Sequence, residues 1–503
     1  MSRSRTHPHP DARGGFCQFC GMNCHETQVP SHEAPEHLPE NSTTMNPAPS
    51  IGTTRTLHEY APTTLELLKT VRREGFLGWM TNTWRQHGDL IRIRMGARSF
   101  LLVTHPDHVR HINVTRRESY DKAESYDVLR ELLLGNGIVT ATGEDWRRQR
   151  KLMAPFFTPR GVEKFYPIFL SDTQQLIERW RSLHQGSGRP VEMLDEMMRV
   201  TASVILHSVF STDSGDTLLR IKNSIETLVS HISGMQMRPV QVPMWVPTPG
   251  NLRFRRAQKL VTAYIHELIA RRRAIPTEQW PDDLLTKLMT TRDEETGTFM
   301  AEQLLVDNGL TMFAAGHETT ARTLSFLWYA LSQNPEVERR LHAELDSVLG
   351  DAPPTLNDLK KLPYTLQVVK EVLRLYPAAP MYARDAVADD ELDGVRIPAG
   401  TRTIVFAYAT HRHPTFWDEP ERFDPDRWLP EREAERHAHA YHPFATGPRI
   451  CLGNSFSLLE THVMAAMLAR RFKLRLKPGH VPQFDMFGTL GARNGLPMLI
   501  EAR

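Results

Sequence analysis

Of the four cysteines in the 503-residue chain, three fall within the first 24 residues, and Cys451 stands alone near the other end. It sits in the run Phe444-Ala-Thr-Gly447-Pro-Arg449-Ile-Cys451-Leu-Gly453, directly before an apolar helical pattern. A thiol at the start of a helix meets unpaired backbone N–H groups and the positive end of the macrodipole. Both favour thiolate, the form of sulfur that ligates a metal. Gly447 and Gly453 allow N–H groups to approach the sulfur, Phe444 can shield it from water, and Arg449 adds positive charge two residues away. A lone cysteine is most often a small buried core residue; this surround makes Cys451 a metal ligand instead.

A second constellation, Ala314-Ala315-Gly316-His317-Glu318-Thr319-Thr320, lies inside a long apolar stretch over 302–333. A glycine inside a helix costs about 1 kcal/mol relative to alanine, and a threonine hydroxyl can bond a carbonyl one turn back and bend the helix. The pattern predicts a local opening against a flat cofactor, with room for dioxygen. Glu318 and Thr319, an acid and an alcohol, would then relay protons into that opening.

The elements that must position these residues are mainly helical. Periodicity predicts helices over roughly 144–153, 162–183, 191–211, 216–232, 252–273, 302–333, 335–349 and 364–375, and a last one over 453–471. Alternation predicts a strand at 89–95, a turn at Gly96 and a second strand at 99–103; short strands return near 395–398 and 402–406. The Pro-, His-, Asp- and Arg-rich stretch 411–450 reads as irregular coil. The fold class is therefore mostly α with a minor β component, as one large domain over 57–503. Residues 1–56, rich in His and Pro and poor in aliphatics, read as a disordered tail.

Phe-x-x-Gly-x-Arg-x-Cys-x-Gly and Ala-Gly-x-Glu-Thr-Thr resemble the haem-binding signature and central-helix motif of the cytochrome P450 family, with every fixed position present. The resemblance implies a cytochrome P450 fold holding haem b (iron protoporphyrin IX), with Cys451 as proximal ligand and Phe444, Gly453 and Ala315 beside the cofactor. A thiolate ligand donates electron density to iron and favours O–O cleavage. Carried over, Thr319 is the oxygen-facing alcohol and Glu318 the acid. Trp146 and Arg150, four apart on one helix face, match the family's propionate contacts, as do Arg384 and Arg449. Glu371 and Arg374 match the Glu-x-x-Arg pair, locked to Arg427 in Pro425-Asp-Arg427-Trp428 or to Arg422; their role is structural. Ala314, Ala315, Ala378, Ala379 and Met381 fall where the family lines the space above haem. Small and uncharged, they predict an apolar small-molecule substrate of moderate size. Segments 121–140 and 233–250 match the loops that roof this space, the second being Met- and Trp-rich and suited to a lid or a membrane surface.

The expected activity is insertion of one oxygen atom from dioxygen into a terpenoid, fatty acid or similar lipid-like molecule. A peroxygenase or haem isomerase on the same fold is the second reading, and a non-catalytic haem sensor the third. No flavin or ferredoxin domain is visible in the sequence, so electrons from NAD(P)H are expected through a separate carrier, a ferredoxin with its reductase or a flavodoxin-type protein. Arg147, Arg148 and Lys151 could present a basic patch to such an acidic carrier. A net charge of +2 argues against nucleic acid as a partner. With no apolar run of membrane-spanning length and no signal-peptide pattern, the expectation is a cytoplasmic monomer without a transmembrane segment. Cys17, Cys20, Cys24 and His25 stand outside the family pattern. They fit a disordered tail, a zinc or iron–sulfur site, or a loose c-type haem attachment, and the sequence leaves all three open.

Overall fold

Alternating apolar and charged residues make Leu90–Met95 a strand that buries Ile91 and Ile93 and turns its arginines outward. This strand pairs antiparallel with Arg98–Val103, which in turn pairs parallel with Arg402–Val405. Tyr382–Ala386 joins antiparallel on the far side of Arg402–Val405. His58–Tyr60 and Tyr120–Asp121 complete a sheet of six strands at its two edges. The computed structural model describes residues 57–503 except 97, 123, 187, 213–214, 238–241, 294–296 and 351. Cys17, Cys20, Cys24 and His25 lie outside the described residues, as does part of the expected roof segment 233–250.

Helices form the bulk of the molecule around a 32-residue central helix, Glu302–Gln333, which coincides with the expected 302–333. Its most extensive partner is Met193–Phe210, which is apolar on nearly every face and buried on most of them. Pro335, in an Asn-Pro step, ends the central helix and starts Pro335–Val348. Pro363–Leu375 and Asn454–Ala469 also pack on the central helix, so the residues flanking the thiol and the acid–alcohol pair share one core.

Gly316 lies in close contact with a neighbouring helix. A Cβ there would stand 2.5 Å from Ile205 Cδ1, so the missing side chain lets the central helix seat against Met193–Phe210. The helix runs on through this turn as one element. Gly316→Val should therefore destabilise the protein by about 1–3 kcal/mol through overpacking. An Ile205→Ala background should recover most of that loss in a denaturant titration; no recovery would mean that the contact is not the reason for the glycine.

Two expected helix starts move for reasons the structure shows. The helix expected from 191 begins at Met193, because Val191–Glu192 pairs as a strand with Pro497–Ala502. The helix expected from 162 begins at Tyr166, after two short turns. Helical Thr64–His87, broken at Gly75, and strand Tyr382–Ala386 were not anticipated. Among the described residues no helix is long and apolar enough to cross a membrane.

Candidate active site

Cys451 lies two residues before the N-cap of Asn454–Ala469, at the end of a loop folded on itself. Its backbone N–H donates to the Phe444 carbonyl at 2.8 Å, and Ile450 N–H donates to the Gly447 carbonyl at 3.0 Å. Gly447 adopts φ +73°, and a Cβ there would come 2.0 Å from the Asn113 carbonyl oxygen. Only glycine satisfies both that backbone and that approach. Phe444 packs against the core, as expected of a shield. The sulfur is surface-accessible although the chain encloses it closely.

Burial pushes the Cys451 thiol up, while the Gly453 N–H and the cations Arg150 and Lys122 pull it down. Burial outweighs them.

The expected cations gather around this loop. Arg150, on Gly143–Met153, donates to the Ile450 carbonyl at 2.7 Å. Trp146, one turn earlier, lies 4.2 Å from the Arg449 guanidinium in a cation–π contact. Arg449 also donates to the Ala141 carbonyl at 3.0 Å and forms an ion pair with Asp121. Arg384 is 4 % exposed, donates to the Ala383 carbonyl at 2.8 Å and lies over the Tyr382 ring. Sequence reasoning missed Lys122, whose Nζ donates to the Val139 carbonyl at 2.6 Å. Burial first, and then Arg384 and Arg449, hold Lys122 well below the usual lysine range. Burial likewise lowers Arg449, to about 10. A buried Arg384 beside half-buried Lys122 and Arg449, with Asp121 as the carboxylate in their midst, suits an anionic ligand with more than one charge. The donor set thus fits haem: an accessible thiol on one side and cations for two propionates at the edge.

Thr320 Oγ1 and Ser457 Oγ stand 3.1 Å apart, fixing the central helix against the cysteine helix. Ala315 is exposed and Ala314 half-buried on this stretch, which is otherwise mostly buried. Thr319 Oγ1 donates to the Ala315 carbonyl at 2.9 Å, the back-bond expected from sequence. Glu318 is buried and accepts from Arg322 Nε at 3.0 Å and Thr489 Oγ1 at 2.6 Å. Arg322 was legible as an i+4 partner; Thr489 comes from the far end of the chain and left no signal. In the segment after Pro363–Leu375, Ala378 is buried, Ala379 exposed and Met381 half-buried.

Glu371 and Arg374 are fully buried and joined at 2.8 and 2.9 Å. Arg427 supplies the third member, with Nε 3.4 Å from Glu371 Oε1. The side chain of Arg422 instead pairs with exposed Glu419, and only its carbonyl meets Arg374. The suggested basic patch is diluted: Arg147 pairs with Glu144 at 3.1 Å and Glu118 at 3.8 Å, and Arg148 lies 3.9 Å from Glu144.

Comparison with known proteins gives concordant results. The family model described as cytochrome P450 matches residues 59–497. Cyclooctat-9-en-7-ol 5-monooxygenase of Streptomyces melanosporofaciens is 35% identical over 83% of this chain and 89% of its own length. Pentalenene oxygenase of Streptomyces avermitilis is 32% identical, over 78% and 85% respectively. The crystal structure of the cytochrome P450DA heme domain superposes with a TM-score of 0.81 at 24% identity, covering 89% of this chain and 99% of that one.

Proposed function

Because the chain belongs to the cytochrome P450 family and is a haem-thiolate monooxygenase acting on an apolar substrate, we propose that it hydroxylates a terpenoid or a similar lipid-like molecule. What supports this reading is the family match over residues 59–497 together with an exposed Cys451 in the signature loop; Ala314, Ala315, Ala378 and Ala379, small and uncharged, are the residues the family pattern assigns to the substrate space. The names of two relatives, which give cyclooctat-9-en-7-ol and pentalenene as substrates, support the terpenoid class.

Haem bound there would supply the iron that activates dioxygen. The work of the chain is then division of labour. Cys451 would ligate the iron, with the Gly453 N–H and Arg150 stabilising its charge. Arg384, Arg449 and Lys122 would hold the propionates, with Trp146 stacked on Arg449. Thr319 presents a hydroxyl on the Ala315 face, and Glu318 on the preceding position is the acid that feeds it protons. Alanines at 314, 315, 378 and 379, with Met381, exclude water and leave volume for hydrocarbon. Electrons come from NAD(P)H through a separate carrier, a ferredoxin with its reductase or a flavodoxin-type protein. The protein is a cytoplasmic monomer, with residues 1–56 as an appended tail to the haem domain at 57–503.

Titrating cyclic and linear hydrocarbons into the haem-loaded protein, and reading the spin-state change, tests the substrate class. A response to fatty acids alone would overturn the terpenoid assignment. With a responsive compound, Thr319→Ala should cut product per dioxygen consumed by about tenfold or more, the remainder appearing as peroxide. Full coupling in that variant would remove Thr319 from the proton path. Turnover with peroxide at the rate seen with dioxygen and reductant would favour the peroxygenase instead.

A further inference from the structure

The irregular segment 135–141, which leads into Gly143–Met153, has its backbone claimed from two sides. The central helix takes its N–H groups: Asn136 N–H donates to Asp307 Oδ2 at 2.8 Å, and Ile138 N–H donates to Asn308 Oδ1 at 3.0 Å. Asn308 Nδ2 donates to Gln149 Oε1 at 2.9 Å, and Gln149 Nε2 returns to the Asn136 carbonyl at 2.9 Å. Asn308, Gln149 and Asp307 are all buried. Gly135 and Gly137 permit the approach, since a Cβ there would stand 2.2 Å from Asp307 Oδ1 and from Thr311 Oγ1 respectively. On the other side, three successive carbonyls each accept from a cation. Lys122 Nζ donates to Val139 at 2.6 Å, Arg130 Nη2 to Thr140 at 2.5 Å and Arg449 Nη1 to Ala141 at 3.0 Å. The segment is a rack for cations, nailed to the central helix.

We propose that Asp307 and Asn308 are positioning residues for haem, which through the 135–141 segment set where Lys122 and Arg449 stand to receive the propionates. The inference rests on the propionate role given to those two cations above. Lys122 and Arg449 repel one another, so without fixed acceptors they would drift apart. The carbonyls of Val139 and Ala141, two residues apart, hold both. Those carbonyls belong to no strand or helix, and their place depends on the side chains that grip Asn136 and Ile138. An apolar residue at 308 would strand the Ile138 N–H and one end of the Gln149 amide in a buried place, and the segment must move to satisfy them. Both cations would then move together. Thr319 stands about three turns further along the same helix, so one rigid element places the edge of the cofactor and the alcohol above it.

Transfer of haem from the loaded protein to excess apomyoglobin, followed by absorbance, tests this without turnover. Asp307→Ala and Asn308→Leu should each release haem about tenfold faster and speed amide hydrogen exchange over 135–141. Asp307→Asn, which keeps an oxygen for the Asn136 N–H, should match the parent in both. The Lys122→Met/Arg449→Gln variant should itself release haem faster. Adding Asn308→Leu to it should change release by less than about twofold, because the cations it acts through are gone. A full multiplicative effect there would make the two side chains general supports of the fold and overturn the inference. Should Asn308→Leu not fold, Asp307→Ala takes its place in each comparison. If the cation variant is fast while Asp307→Ala and Asn308→Leu match the parent, the anchoring is wrong and the propionate role stands. If the cation variant releases haem at the parental rate, role and anchoring fall together.

Discussion

Cys451→Ala should lose the thiolate-type spectrum of the reduced carbon monoxide complex and lower dioxygen-dependent turnover by about a thousandfold or more. No other described residue is a cysteine, so no second thiolate can replace it from within the fold. The loss should be chemical rather than architectural. The loop is held by the Cys451 backbone N–H on the Phe444 carbonyl, a bond alanine keeps. Arg150, Arg384, Arg449 and Lys122 are also untouched, so haem should still load through its propionates, more weakly. The informative comparison is therefore spectrum against load: haem retained with the thiolate band gone. An unchanged band in that variant would end the assignment of Cys451. The opposite perturbation, Arg384→Ala with Arg449→Ala, should do the reverse, lowering haem load while whatever binds keeps the thiolate spectrum.

Those two variants separate what was legible in the sequence from what was not. The cysteine loop was legible because its constraints are local. Within ten residues it fixes a turn at Gly447, an aromatic shield and a helix start, and each needs a particular residue type. The central helix was legible for a similar reason: 32 residues without a proline leave little alternative. Even there, the packing contact of Gly316 was not legible, since a missing side chain does not say which neighbour fills the space. Ile205, more than a hundred residues away, decides it.

What stayed hidden was tertiary in origin. Thr64–His87 carries a capping box, Thr63 with Glu66, that could have flagged a helix. Its face is only weakly apolar, however, and Gly75 interrupts the periodicity. Tyr382–Ala386 does not alternate, because four of its five residues are buried between neighbouring strands and packed elements. Lys122 sits in a stretch that read only as roof; its meeting with Arg384 and Arg449 joins segments more than two hundred residues apart. Thr489 is the same case. Residues that act through contacts distant in sequence leave no spacing to read, and three of the groups most useful for argument here, Lys122, Ile205 and Thr489, are of that kind.

Glu371→Ala should destabilise the haem-loaded protein by about 3–5 kcal/mol, because it leaves a buried guanidinium without its counter-ion. Arg374 uses its whole fork: two bonds to Glu371, and others to the carbonyls of His411, Pro420 and Arg422 at 2.9, 2.7 and 2.9 Å. Glu371 also accepts from the Asp424 N–H at 2.9 Å and Trp428 Nε1 at 3.1 Å. One buried pair therefore ties Pro363–Leu375 to the irregular 411–428 stretch, which has little regular hydrogen bonding of its own. Arg374→Lys should fail almost as badly, since an ammonium cannot span three carbonyls and a carboxylate at once. Arg427→Ala should cost less, its Nε standing at 3.4 Å, whereas Arg422→Ala should leave the unfolding midpoint where it was, its side chain meeting only exposed Glu419. Because the stretch runs on into the cysteine loop, haem absorbance and far-ultraviolet dichroism should be lost together in a denaturant titration of Glu371→Ala. A midpoint close to that of the parent would show that the loop is held by other contacts and that the pair is dispensable.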